Sequence, residues 1–226
     1  CRLRRQRQMC IRDSPTAVYG TQWLVASIRK RGQLTSKMMH AVWGRGKSMR
    51  CAEIVVGVLN DPVKVDPTYA SAFRTVMTTN RLIKKQAWRA ESLRDNISCI
   101  QHNAMPRGTH GPARGLLNAL EVIGMRITCI DKTLTLHGPL GGCVELGTKN
   151  NSQLAAYLRD SIRVSILKQL KERANIINPE TGKPRRKDMV DVPVYVDNEL
   201  TNALLRAKQC CESEGAGCVK TSAKNA

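Results

Sequence analysis

The sequence predicts a mainly α-helical fold, a multi-helix bundle carrying a small β-hairpin near residues 125–146. Apolar residues recur at spacings of three and four through most of the chain, the period of a helix with one buried face. Between Met125 and Leu146 the period changes to two, the period of a strand. Helix start and stop signals bracket the periodic stretches.

The elements follow in order. Tyr19 to Trp43 reads as one or two helices, with Trp23, Leu24, Ile28, Leu34, Met38, Met39 and Val42 supplying apolar faces and Gly32 as the expected break. Ser48 to Leu59 reads as the next helix, with Cys51, Ile54, Val55, Val58 and Leu59 inward and Asn60–Asp61–Pro62 ending it. Val65 to Lys85 carries a full start signal. Asp66 is the N-cap, whose carboxylate accepts from free backbone N–H groups, and Pro67 takes the first helical position, where a missing N–H costs nothing. Tyr69, Phe73, Val76 and Met77 form its core stripe, and Arg81, Lys84 and Lys85 make a basic last turn that suits the helix dipole.

Gln86 to Ile100 is expected to be helical with Trp88, Leu93 and Ile97 on one side. Asn103 to Thr109 is a loop. Gly111–Pro112 opens a helix with Leu116, Leu117, Leu120 and Ile123 on its face and Gly124 as its natural end. Met125–Cys129 and Thr133–His137 alternate around Asp131–Lys132 as a hairpin, His137–Cys143 is a turn, and Cys143–Leu146 is a short third strand. Asn151 to Arg173 is the longest helix, capped by Ser152, with Leu154, Tyr157, Leu158, Ile162, Ile166 and Leu170 on one face. Arg159, Arg163, Lys168, Lys171 and Arg173 occupy much of the rest. A basic loop, 178–188, an extended run, Val190–Val196, and a last helix through Leu200, Leu204 and Leu205 follow. From Cys210 the chain is small and polar, the composition of a disordered tail. The organisation expected is an arm at 1–14, a helical domain at 15–124, a hairpin with the long and last helices at 125–209, and the tail at 210–226.

Hydrophobic residues make up 42% of the 226, enough for a core, but only eight are aromatic, so the core must be aliphatic. The formal net charge is +19, with 37 bases against 18 acids. Such an excess points to a polyanionic partner, nucleic acid first and an anionic membrane second. No apolar run approaches the roughly 18 residues that span a bilayer, which leaves membrane the weaker class. The nine cysteines are odd in number and irregular in spacing. Reduced thiols in an intracellular protein, nuclear or cytoplasmic, fit better than a disulfide framework.

The first fourteen residues hold five arginines and one aspartate. The stretch from Arg4 to Ser14 resembles a translated cDNA-library adapter, a scar to be set aside from fold reasoning. The competing reading is a native phosphate-binding arm. Setting those residues aside lowers the +19 to +15, so the charge argument stands. An adapter also implies that the native chain extends upstream.

Several candidate chemistries meet a simpler reading. Gly44 to Ser48, GRGKS, lacks the first glycine of a phosphate-binding loop because position 41 is Ala, and a helix precedes it instead of a strand; a helix-to-helix turn is favoured. Tyr195 to Asn198, YVDN, lacks the second carboxylate that a two-metal polymerase box needs, so helix capping is favoured. Cys99, His102 and His110 give three metal ligands where a closed zinc site needs four, and an ordinary buried Cys with solvent-facing His is favoured. Cys210, Cys211 and Cys218 make an incomplete zinc knuckle. No catalytic residue and no metal is assigned within this chain. The basic residues remain, at helix ends and turns where phosphate contacts arise: Arg29, Lys30 and Arg31; Arg45, Lys47 and Arg50; Arg74, Arg81, Lys84 and Lys85; Arg185, Arg186 and Lys187.

Set in order, the middle of the chain resembles the region downstream of the catalytic palm in reverse-transcriptase polyproteins of non-LTR retrotransposons, of the protist and algal type. Cys51–Ala52–Glu53–Ile54 precedes VDPTYASAFRTV, where the family places a D-P-x-Y/F element followed by spaced arginines; Arg74, Arg81–Leu82 and Lys84 fit it. Gly111–Pro112 with Leu116–Leu117, Leu120 and Ile123–Gly124 resembles a G-P-x-x-x-L-L-x-x-L-x-x-x-G-W element, with Met125 in place of Trp. Leu158–Arg159–Asp160 is similar to a later L-R-D-x-x-R stretch. The resemblance spans roughly Tyr19 to Lys208. It implies a nucleic-acid-binding segment of an RNA-directed DNA polymerase whose palm, with its magnesium, lay upstream. RNA or DNA is the expected partner, with no small-molecule substrate. The alternative class is a structural RNA-binding protein such as a divergent organellar ribosomal component. An unrecognised small enzyme comes last, because no catalytic constellation supports it.

Overall fold

Two Asp-Pro pairs set the entry to the core. The computed structural model describes residues 28–43, 52–86, 88–102, 111–130, 133–148 and 150–177, with a few isolated positions beyond. Within it Asp61 caps a one-turn helix, its Oδ1 accepting from the Val63 N–H at 3.1 Å. Asp66 then caps the long helix, its Oδ1 accepting from the Thr68 N–H at 2.8 Å. Both put Pro at the first helical position. The sequence reading took Asp61–Pro62 only as a stop. It is also a start, because the same cap chemistry operates there.

The described helices are α1 (Ile28–Trp43), α2 (Ala52–Gly57), α3 (Pro62–Val65), α4 (Pro67–Lys85), α5 (Trp88–Gln101), α6 (Pro112–Val122) and α7 (Asn151–Ala174). Between α6 and α7 lie β1 (Arg126–Ile130), β2 (Thr133–His137) and β3 (Cys143–Glu145), an antiparallel sheet in the order β1-β2-β3. The fold is thus mainly helical with one small sheet, as the periodicity implied.

α4 crosses the core, packing on α1, α6 and α7. Val76 and Met77 are buried in it, while Tyr69 and Phe73 are partly buried against it. The Arg159 guanidinium of α7 lies 5.2 Å from the centroid of the Phe73 ring and 3.5 Å from the Asp61 carboxylate. α7 is buried on more than the single face expected. Besides Leu154, Leu158, Ile162, Ile166 and Leu170, it buries Ser161, Val164, Ser165 and Leu167. It is a central pillar, with α2 and α4 packed along it. One continuous cluster joins Met39 and Val55 to Leu136, Val144 and Ile166, crossing the position where the hairpin begins.

The passage from α6 into the sheet explains Gly124. Its φ of 67° lies in the left-handed region, where only a glycine is unstrained. The Met125 N–H donates to the Leu120 carbonyl at 2.9 Å and the Gly124 N–H to Glu121 at 3.1 Å. This is the paired closure of a Schellman motif, and buried Met125 and Leu120 supply its apolar contact. A Cβ at Gly124 would stand 2.7 Å from the Ser165 hydroxyl, so α7 carries a small residue there. In the sheet Leu136 pairs with Ile127 on one side and Val144 on the other, a buried row across all three strands.

Three expectations change. Gly32 does not break α1, because an exposed helical glycine costs only about 1 kcal/mol against Ala. Asn150, not Ser152, caps α7, its side chain accepting from the Ser152 N–H at 3.3 Å. Trp88 is 63% exposed, where a place on the apolar side with Leu93 and Ile97 was expected. Five residues separate it from Leu93, a rotation that carries it well off that stripe. The extended run at 190–196 and the last helix lie largely or wholly outside the described residues, as do the 103–109 loop and the tail.

One buried amide ties these layers together. Asn80 of α4 is fully buried; its Nδ2 donates to Asn151 Oδ1 at 2.9 Å, and its Oδ1 accepts from the Gly147 N–H at 2.8 Å. We expect Asn80→Ala to cost about 2–3 kcal/mol, because buried polar groups lose their partners, and to lower Tm by roughly 5–10 °C. Thermal unfolding followed by circular dichroism measures this, and an unchanged Tm would refute a structural role for the amide.

Candidate nucleic-acid interface

Two concave surfaces collect polar side chains. The first, of about 710 Å³, lies between α1, α2, α4 and α7 and holds Asp66. The carboxylate is 4% exposed. Burial pushes its pKa above the usual 3.8, and hydrogen bonds from the Thr68 N–H and from the Thr35 hydroxyl at 3.0 Å pull it partly back. At the rim Arg173 pairs with Glu53 at 2.5 Å. Both Asp66 oxygens are occupied by donors that hold α1 to the start of α4, so this carboxylate caps a helix and is not a free base.

The second surface, of about 570 Å³, is a groove between α4, α5 and the start of α6. Its wall is mostly apolar, with Leu82, Ile83, Leu93 and Ile100. Trp88, Arg89 and Arg114 also line it, and among the described residues no carboxylate does. The Arg89 guanidinium stacks 5.4 Å from the Trp88 ring centroid, a cation–π distance. Gly111 caps α6 without a side-chain hydrogen bond.

The predicted basic residues divide by position. Arg81, Lys84 and Lys85 are exposed on one side of the last turn of α4, opposite buried Thr79 and Ile83. Lys85 is one helical step from Leu82, which lines the groove. Arg74 is half-buried further up the helix. Arg29, Lys30 and Arg31 lie at the start of α1 as described, where Lys30 is exposed. Arg45, Lys47, Arg50, Arg185, Arg186 and Lys187 lie outside the described residues, as do Gly44–Ser48 and Tyr195–Asn198.

Arg81, Lys84 and Lys85 therefore stand apart from the groove, whose cations are Arg89 and Arg114, and sequence reading did not assemble that groove. Trp88, Arg89 and Arg114 were missed as site residues. The available signal was the five-residue step between Trp88 and Leu93, which takes a large aromatic off the core side. Of the candidate metal ligands, Cys99 is exposed, contrary to the buried position expected, and His102 Nδ1 lies 2.8 Å from its own helix's Ser98 carbonyl, while His110, Cys210, Cys211 and Cys218 lie outside the described residues. Among the described residues no group of three His, Cys, Asp or Glu side chains is placed to hold a metal ion. No described helix is long and apolar enough to cross a membrane. No protein-family model, curated protein or solved structure matches the chain.

The buried Asp66 carries a pH signature. A carboxyl whose folded-state pKa is raised favours folding when protonated; that contribution is full below pH 3.8 and is lost as pH rises through the folded-state value. Asp66→Asn keeps an oxygen for the Thr68 N–H and removes the charge. Wild type should therefore lose stability relative to this variant as pH rises above 3.8 and through the raised folded-state value. Asp66→Ala loses the cap and should cost about 1 kcal/mol at neutral pH. Urea titrations across the range test both statements, and a gap between wild type and Asp66→Asn that ignores pH would sink the burial argument.

Proposed function

We propose that this chain is the nucleic-acid-binding helical segment of a retroelement RNA-directed DNA polymerase, holding template–primer or element RNA beside a catalytic palm elsewhere in the parent protein. The observation that carries nucleic-acid binding is the +19 charge, together with the exposed Arg81, Lys84 and Lys85 at one helix end. Cations on rigid helix ends neutralise phosphates and release counterions, which gives affinity without sequence preference. The family part of the proposal rests on the residue resemblance, whose D-P-x-Y element begins α4 and whose spaced arginines end it. Phosphoryl-transfer chemistry, with its magnesium, belongs to the palm in this reading, and these residues hold and position the strand.

Fluorescence anisotropy with labelled RNA and DNA, read between about 50 and about 200 mM salt, tests the binding. Affinity should fall steeply with salt. Replacing Arg81, Lys84 and Lys85 with Gln should flatten the log–log slope by about 2–3 units, near 0.7–0.9 per lost phosphate contact. Absence of binding to either polymer at the lowest salt would overturn the proposal. Upstream transcript sequence tests the parentage: an in-frame Y-x-D-D box supports it, and a complete short reading frame with a targeting peptide contradicts it.

A further inference from the structure

We infer that the groove between α4, α5 and α6 is a docking site for single-stranded nucleic acid, with Trp88 as the platform on which a base stacks. The inference rests on the nucleic-acid reading above and names where, and in what form, the strand is held.

Trp88 is the starting point. It is 63% exposed on a folded helix, in a chain with only three tryptophans. An indole left in water forfeits one of the largest apolar burials available to any side chain. One face is partnered by the Arg89 guanidinium at 5.4 Å. The ring meets a cation while the side chain stays 63% exposed, and alternation of base, indole and guanidinium is a stacking arrangement that single-strand binders use.

The groove supplies the rest. Its apolar wall, with Leu82, Leu93 and Ile100, suits the body of a base, and Ser92 and Asn96 stand on the α5 side where base edges need polar groups. Arg89 and Arg114 line it from two different helices. The acidic side chains of α5, Glu91 and Asp95, are exposed but do not line the groove, and Asp95 is 3.6 Å from Arg94. The lining is thus aromatic, apolar and cationic. That combination selects a polyanion with exposed bases. A duplex hides its base faces in its own stack, so it would meet the cations but leave the indole unused.

The test uses the full chain, a fluorescein-labelled single strand of about 12 nucleotides, as oligo(U) and as oligo(dT), and a matched duplex. Trp88→Ala should weaken both single strands by roughly tenfold, the value of one lost base stack, with the duplex changed less than about twofold. Trp88→Phe, which keeps a ring, should recover most of the loss. Arg114→Gln should lower the salt slope for the single strand by about one unit. Because Trp88 is exposed, Trp88→Ala should keep the wild-type far-ultraviolet circular dichroism and Tm. Single-strand affinity unchanged in Trp88→Ala overturns the groove assignment and leaves general nucleic-acid binding standing. So does an equal loss for single strand and duplex. Failure of the wild type to bind any of the three probes overturns the underlying reading instead.

Discussion

The fold depends on satisfying one buried amide. Asn80 sits at the middle of the molecule with no exposure, and each end of its side chain meets a segment that follows it by some 70 residues. A primary amide in such a place is unfavourable unless its donors and acceptors are met. Here the Gly147 backbone and the Asn151 side chain meet it, and in doing so they fix the exit of the sheet and the first turn of α7 against α4. Gly147 has a φ of 92°, a conformation that lets its N–H reach the amide while Ile83 packs close above it. The apolar layers could slide along α4 without much loss; this contact gives them a register.

The two long helices share the remaining work unequally. α4 begins with a cap that doubles as a tether, since Asp66 accepts from its own helix and from Thr35 of α1. α7 is enclosed through its middle and carries serines where turns press on it. Arg159 links them, reaching the Phe73 ring of α4 and the Asp61 cap. Consequently the basic end of α4 is held by a body that is braced on several sides.

Local signals were the legible part of the sequence. The Asp66–Pro67 start, the Gly124 stop and the switch to period two at Met125 each depend on neighbours within a few residues, and all three stand where the pattern placed them. The Asn80 amide was invisible, because a buried Asn in a helix looks the same in sequence as an exposed one until its partners are known. The enclosure of α7 was hidden because a single apolar face was assigned to it, and Ser161, Val164, Ser165 and Leu167 lie off that face yet are buried. Trp88 was misplaced because hydrophobicity was weighed above helical phase. The basic residues of α4 were legible as cations at a helix end, but not the groove between α4, α5 and α6, which arises only when α5 and α6 pack against it.

The distance in sequence between Asn80 and its partner Asn151 also sets a schedule for synthesis. The chain leaves the ribosome from its N-terminus, so Asn80 emerges 71 residues before Asn151. At roughly 5–20 residues per second, that interval is about 4–14 s. For that time α4 has its cap and its apolar stripe, but its central amide still bonds to water, and the surface destined for α7 faces solvent or a chaperone. The helix that organises the finished molecule therefore emerges well before the helix that encloses it.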